Sequence, residues 1–133
     1  MAKKGSVKLK SKRKKTKEAR LGRIYISASF NNTLITITDV DGNALVWGSS
    51  GSSGFKGTRK STPYAATTAV EKTVNDARSR FGMEEVEVYI KGPGPGRDAS
   101  LRAIKSTGLK ISVIADVTPM PHNGPRPKKK RRV

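Results

Sequence analysis

The sequence predicts one mixed α/β domain, a five-stranded sheet with two helices, set between two strongly basic tails. Three observations predict it. Residues 23–47 carry three short β-branched runs separated by turn dipeptides. Residues 62–82 carry one long run with apolar positions three or four apart. Residues 86–117 alternate strand, helix and strand patterns.

The first strand is expected over residues 23–30, where Ile24 and Ile26 alternate with polar neighbours. Asn31-Asn32 signals a turn, and residues 34–38 read as the second strand. Asp41-Gly42 is a hairpin signal, and residues 44–47 form the third strand of an antiparallel meander. Residues 48–61 are a Gly/Ser-rich loop that turns basic at Lys56, Arg59 and Lys60.

Thr62 and Pro63 then suit the cap and first position of a helix. Its apolar face runs through Ala66, Val70, Val74, Ala77 and Phe81, and Gly82 is the expected stop. Residues 86–90 form a fourth strand, and Gly92-Pro93-Gly94-Pro95-Gly96 a loop. A short helix follows with Leu101 and Ile104 inward and Gly108 at its close, and residues 109–117 make an apolar fifth strand. Strand, helix and strand are expected to form a right-handed parallel unit.

Charge supplies the function class. The chain of 133 residues carries 28 Lys and Arg against 10 Asp and Glu, a net charge of +18. Residues 1–20 hold +9 of it, residues 120–133 hold +6, and residues 21–119 only +3. A nearly neutral body can fold, whereas the tails bury too little apolar surface to offset the entropy of ordering. Both tails are expected to be disordered alone and to order against phosphates, which makes a nucleic acid the partner. The competing view, that the charge only confers solubility, does not account for same-sign blocks at both ends.

Other classes fit poorly. The absence of Cys removes disulfides, thiolate zinc sites and thiol nucleophiles. No apolar run reaches membrane-span length, and no apolar h-region follows the basic start. An aromatic fraction of 5% predicts against a reader whose main device is base stacking on a sheet.

Two enzyme readings merit comparison. Gly94-x-Gly96-x-x-Ala99, with Asp116 downstream, has the spacing of a dinucleotide fingerprint. Pro93 and Pro95 remove two of the N–H groups that would cradle a pyrophosphate, so a loop facing an RNA phosphate, flanked by Lys91 and Arg97, fits better. A metal-dependent nuclease would draw on Glu71 and Asp116, but the first strand has no acid, and surface charge for Glu71 and an end-of-strand turn for Asp116 explain both residues. His122 is the only histidine and has no Ser–acid company, which suits a hydrogen-bonding or stacking group rather than a base. The ending Pro127-Lys128-Lys129-Lys130-Arg131-Arg132-Val133 also resembles a nuclear import signal, which would suit a small DNA-binding protein. Neither helix is basic along one face, as entry into a major groove would require.

Four blocks together resemble a known family: Ser29-Phe30-Asn31-Asn32-Thr33; the run from Gly54 through Lys56, Arg59 and Lys60 to Pro63; Lys91-Gly92-Pro93-Gly94-Pro95-Gly96-Arg97; and Asp116-Val117-Thr118-Pro119 with Pro121-His122-Asn123-Gly124. The chain is similar in these to the ribosomal protein eleven family of the small subunit, in its bacterial or plastid form. The resemblance implies a ribonuclease-H-like α/β fold without catalysis or cofactor. It implies a structural protein of translation on the small-subunit platform, bridging 16S rRNA helices and helping to form the Shine–Dalgarno cleft of the mRNA. Implied neighbours are small-subunit proteins seven and eighteen and initiation factor three, with neither a membrane nor a small-molecule substrate. The implied location is the ribosome, in a bacterial cytoplasm or a plastid stroma. Bacterial members commonly have Cys after His-Asn-Gly; here Pro125 stands there and favours a stiff, extended tail.

The expected RNA-binding residues are Lys12, Arg13, Lys14, Lys15, Lys17 and Arg20 in the first tail, and Asn31, Asn32, Lys56, Arg59, Lys60, Lys91 and Arg97 in the body. His122, Asn123, Arg126, Lys128, Lys129, Lys130, Arg131 and Arg132 complete the set in the second tail. Asn123, followed by Gly124, is also a candidate for spontaneous deamidation.

Overall fold

The computed structural model describes residues 19–132. Its elements are β1 (Leu21–Ala28), β2 (Thr33–Thr38), β3 (Ala44–Ser49), a single 3-10 turn (Gly57–Ser61), α1 (Pro63–Phe81), β4 (Glu85–Lys91), α2 (Gly96–Ser106) and β5 (Lys110–Asp116). The strands form one sheet in the order β3-β2-β1-β4-β5. β1 pairs antiparallel with β2, and β2 with β3; β1–β4 and β4–β5 are parallel. This is the mixed five-stranded sheet with two helices that the sequence predicts.

Alternation decides which face is covered. Ile24, Ile26, Ile35, Ile37, Val86 and Val88 are fully buried, and their register partners bring them into adjacent rows. α1 lays Ala65, Ala66, Ala69, Val70, Val74 and Ala77 over them, and α2 adds Ala103 and Ile104. Each large aliphatic side chain so buried is worth about 1.5–3 kcal/mol. Thr62 caps α1 by accepting from the Ala65 N–H at 3.3 Å, Pro63 opens it, and Gly82 ends it at φ 64°. These caps satisfy backbone groups that a helix end leaves open.

Three departures from the sequence reading have physical causes. β1 ends at Ala28 rather than Phe30, because the Ser29 hydroxyl and N–H both donate to the Asn32 carbonyl and bend the chain into the turn. The loop after β3 contains the 3-10 turn, a local arrangement that apolar periodicity does not reveal. The fifth strand is apolar but not buried: it lies at the sheet edge, with Val113 42% and Ile114 58% exposed. The few aromatic rings lie outside the fully buried core. None of the seven rings is in the buried class, because small Ala residues bring α1 close to the sheet and the core is filled with aliphatic side chains. Phe81 packs against the margin of the core, whereas Phe30, Trp47 and Tyr64 are exposed.

Candidate nucleic-acid interface

The strand directions collect the expected residues at one end of the sheet. β1, β4 and β5 finish there, β2 begins there, and β3, antiparallel to β2, also finishes there. The turn at Asn31-Asn32, the loop at residues 50–62, the Gly/Pro loop and the start of the C-terminal tail therefore share one edge.

Backbone packing locks these loops together. The Gly94 N–H donates to the Ala28 carbonyl at 2.9 Å, and the Ser50 N–H to the Thr33 carbonyl at 3.1 Å. A Cβ on Gly92 would run into the Ala28 carbonyl oxygen, and one on Gly94 into that of Ser29. Glycine is required here because backbone meets backbone. The Lys60 stem lies near Gly51, as does the Asn32 amide. Asn32 uses its Oδ1 to accept from the Thr33 N–H at 2.9 Å, so half of its side chain holds its own turn. Asn31 is exposed beside it, as are Lys56, Arg59 and Lys91, and Lys60 is half-buried.

Arg97 has a different role from its neighbours. It donates to the Gly92 carbonyl at 2.6 Å and to the Asp116 carboxylate at 2.7 Å. The other Asp116 oxygen accepts from the Thr118 N–H at 3.0 Å and hydroxyl at 2.6 Å. The Thr118 hydroxyl oxygen in turn accepts from the Gly92 N–H at 3.1 Å. The Thr118 hydroxyl and the Arg97 guanidinium together hold the Asp116 carboxyl well below the usual carboxylate range. Arg97 is thus a clamp joining α2, the Gly/Pro loop, β5 and the tail.

The same bonds bear on the enzyme readings. The N–H groups of Gly92 and Gly94 are already spent on Thr118 and Ala28, while Pro93 and Pro95 have none, so these four positions offer no N–H to a pyrophosphate. Gly96 packs against Thr33 and Ala66, a close contact inside the fold. Both oxygens of Asp116 are engaged.

The remaining sites divide by position. Lys12, Arg13, Lys14, Lys15 and Lys17 lie outside the described residues. Arg20 is at the opposite end of the sheet, where its carbonyl accepts from the N–H groups of Glu84 and Glu85; the Ala19 N–H also reaches the Phe81 carbonyl at 3.0 Å. Among the described residues, backbone bonding to the body starts at Ala19. His122, Asn123, Arg126, Lys128, Lys129, Lys130, Arg131 and Arg132 are exposed on a tail without regular structure. Asn123 adopts a left-handed conformation, φ 56°.

Three rings at the loop end escaped the sequence reading. Phe30 is 70% exposed at the turn, and Tyr64 is 71% exposed, meeting Phe55 edge-on at a centroid distance of 5.8 Å. Position carries the missed signal: Phe30 abuts a turn dipeptide, and Tyr64 follows the helix-opening proline, where side chains stay outside the core.

The sequence profile of the family described as Ribosomal protein S11 matches residues 22–132. The chain belongs to the ribosomal protein S11 family. It is 58% identical over 112 residues to the small ribosomal subunit protein uS11 of Alteromonas mediterranea, covering 84% of this chain and 85% of that one. The uS11 of Borreliella burgdorferi is 54% identical over 123 residues, covering 92% and 94%. That of Pseudoalteromonas atlantica is 55% identical over 125 residues, covering 93% and 95%. As an S11 member the chain is a structural ribosomal protein of the small subunit and works in translation, in a family of non-enzymes.

Proposed function

We propose that this S11 protein bridges separate helices of 16S rRNA on the small-subunit platform, with its loop end and C-terminal tail on one RNA element and its N-terminal segment on another. The supporting observation is that the two ends of the chain meet the body at opposite ends of the sheet. Arg20 immediately precedes β1 at one end, and the tail leaves β5 at the other, beside Asn32, Lys60 and Lys91. β1 spans eight residues, so the two ends stand about 25 Å apart, further than one phosphate contact can reach. A near-neutral body between basic ends acts as a spacer.

In this reading, Lys12, Arg13, Lys14, Lys15, Lys17 and Arg20 contact one RNA element. Asn31, Lys56, Arg59, Lys60, Lys91 and the tail cations contact the other, with Asn32 and Arg97 shaping that surface. Phe30 and Tyr64 offer rings to unpaired bases there. Both tails are disordered in the free protein and order on RNA. The resemblance adds the Shine–Dalgarno cleft, proteins seven and eighteen, and initiation factor three as the surroundings of this end.

Footprinting on 16S rRNA tests the bridge. Removing residues 1–18 and removing residues 120–133 should each expose a different set of nucleotides. Loss of one common set in both variants would contradict it.

A further inference from the structure

Away from the loop end, β5 presents a second surface, and none of the expected RNA-binding residues lies on it. Among the described residues β5 is an edge strand, paired on one side only. Its partners in β4 set which backbone groups are free. Val88 stands opposite Ile114 and Ile90 opposite Asp116, and the Val117 N–H donates to the Ile90 carbonyl at 2.8 Å. In a parallel ladder of this register, Val113, Ala115 and Val117 direct their backbone groups to β4, while Ile114 and Asp116 direct theirs outward. The side chains add to the opening: Val113, Ile114 and Val117 are exposed together.

Edge strands are ordinarily guarded by proline, by a charge along the strand, or by cover. Between Ile111 and Ala115 there is neither proline nor charge. RNA is a poor occupant: the segment offers no cation to a phosphate, and Asp116 at its end would repel one. A polypeptide strand matches, because it supplies alternating N–H and C=O groups at the right spacing and apolar side chains for Val113 and Ile114.

We propose that the free edge of β5 takes an extended, uncharged, aliphatic segment of a neighbouring protein of the small subunit as an added strand. The contact is separate from the RNA reading, so either can fail without the other.

The test places a photoreactive benzophenone amino acid at Val113 in protein assembled into intact small subunits. Irradiation should yield one ribonuclease-resistant, protease-sensitive adduct, mapping to an extended aliphatic segment of one other ribosomal protein. Ile114→Pro removes an outward N–H and leaves the β4 bonds in place, so it should lower the yield roughly tenfold; Ile114→Val should preserve it. Paired Ile114→Lys and Val117→Lys substitutions, which guard the edge without touching the backbone, should act like proline. An adduct to RNA, an adduct to a second copy of this chain, no adduct, or a yield indifferent to both the proline and the lysine variants would overturn the proposal.

Discussion

The Arg97 guanidinium and the Asp116 carboxylate, 2.7 Å apart, join the start of α2 to the end of β5, where the C-terminal tail departs. Through Thr118 the same carboxylate also fixes the first residues of that tail. Its lowered pKa makes this a linkage. A carboxyl held lower in the folded state contributes stability that is present above its unfolded value and lost as pH falls toward the folded one. The thermal midpoint of Asp116→Asn should therefore lie below that of the parent by a constant margin above about pH 5, and the margin should close in more acid solution. Melting curves across a pH series check this; a margin that widens in acid would contradict it.

Gly94 presses against the Ser29 carbonyl, with no room for a methyl group. Gly94→Ala should cost about 2–3 kcal/mol, because both neighbours are backbone and cannot rotate away. Urea unfolding measures it. Gly96→Ala should cost less, since its nearest obstacle is the Thr33 side chain, which can move. Equal losses would mean that the loop yields as a whole.

Much of this architecture is legible in the sequence. Turn dipeptides and β-branched runs predict the meander, and Thr62, Pro63 and Gly82 bound α1 as expected. The less legible parts depend on tertiary neighbours. No local pattern tells that Ser29 turns back on Asn32, or that an apolar strand will lie at an edge. At the site, charge and family motifs point to Lys56, Lys60 and Lys91. The clamp by Arg97 depends on Asp116, nineteen residues away in the chain and a neighbour only once the parallel unit closes. Phe30 and Tyr64 stay hidden because composition counts rings without placing them.

Lys56, Arg59 and Lys60 form the basic part of the loop before α1. Replacing all three by Ala should lower RNA affinity and flatten its log–log salt dependence by about 2 to 3 if each meets a phosphate. The thermal midpoint should change little, because no core residue is touched. Filter binding and melting curves separate the two effects; unchanged affinity would make the segment a plain connection.

Asn123 precedes Gly124 and sits exposed in a left-handed conformation. Little shields the following amide from attack on the Asn side chain, so succinimide formation and isoaspartate are expected on ageing. Peptide mass spectrometry should show deamidation at this peptide in the parent and not in Asn123→Gln. An unmodified peptide after prolonged incubation would mean that the turn protects it.

The central claim is that phosphate contacts from both ends of the chain dominate binding, and RNA affinity across a salt series tests it most directly. With roughly ten cations engaged, log affinity should fall against log salt with a slope of about −7 to −9. Removing residues 1–18 leaves the bonds of Ala19 and Arg20 to the body, and removing residues 120–133 leaves the Arg97–Asp116–Thr118 clamp. Each truncation should weaken binding and flatten the slope, while the melting temperature of the body stays close to that of the full chain. An affinity indifferent to salt, or two truncations that bind as tightly as the intact protein, would contradict the account.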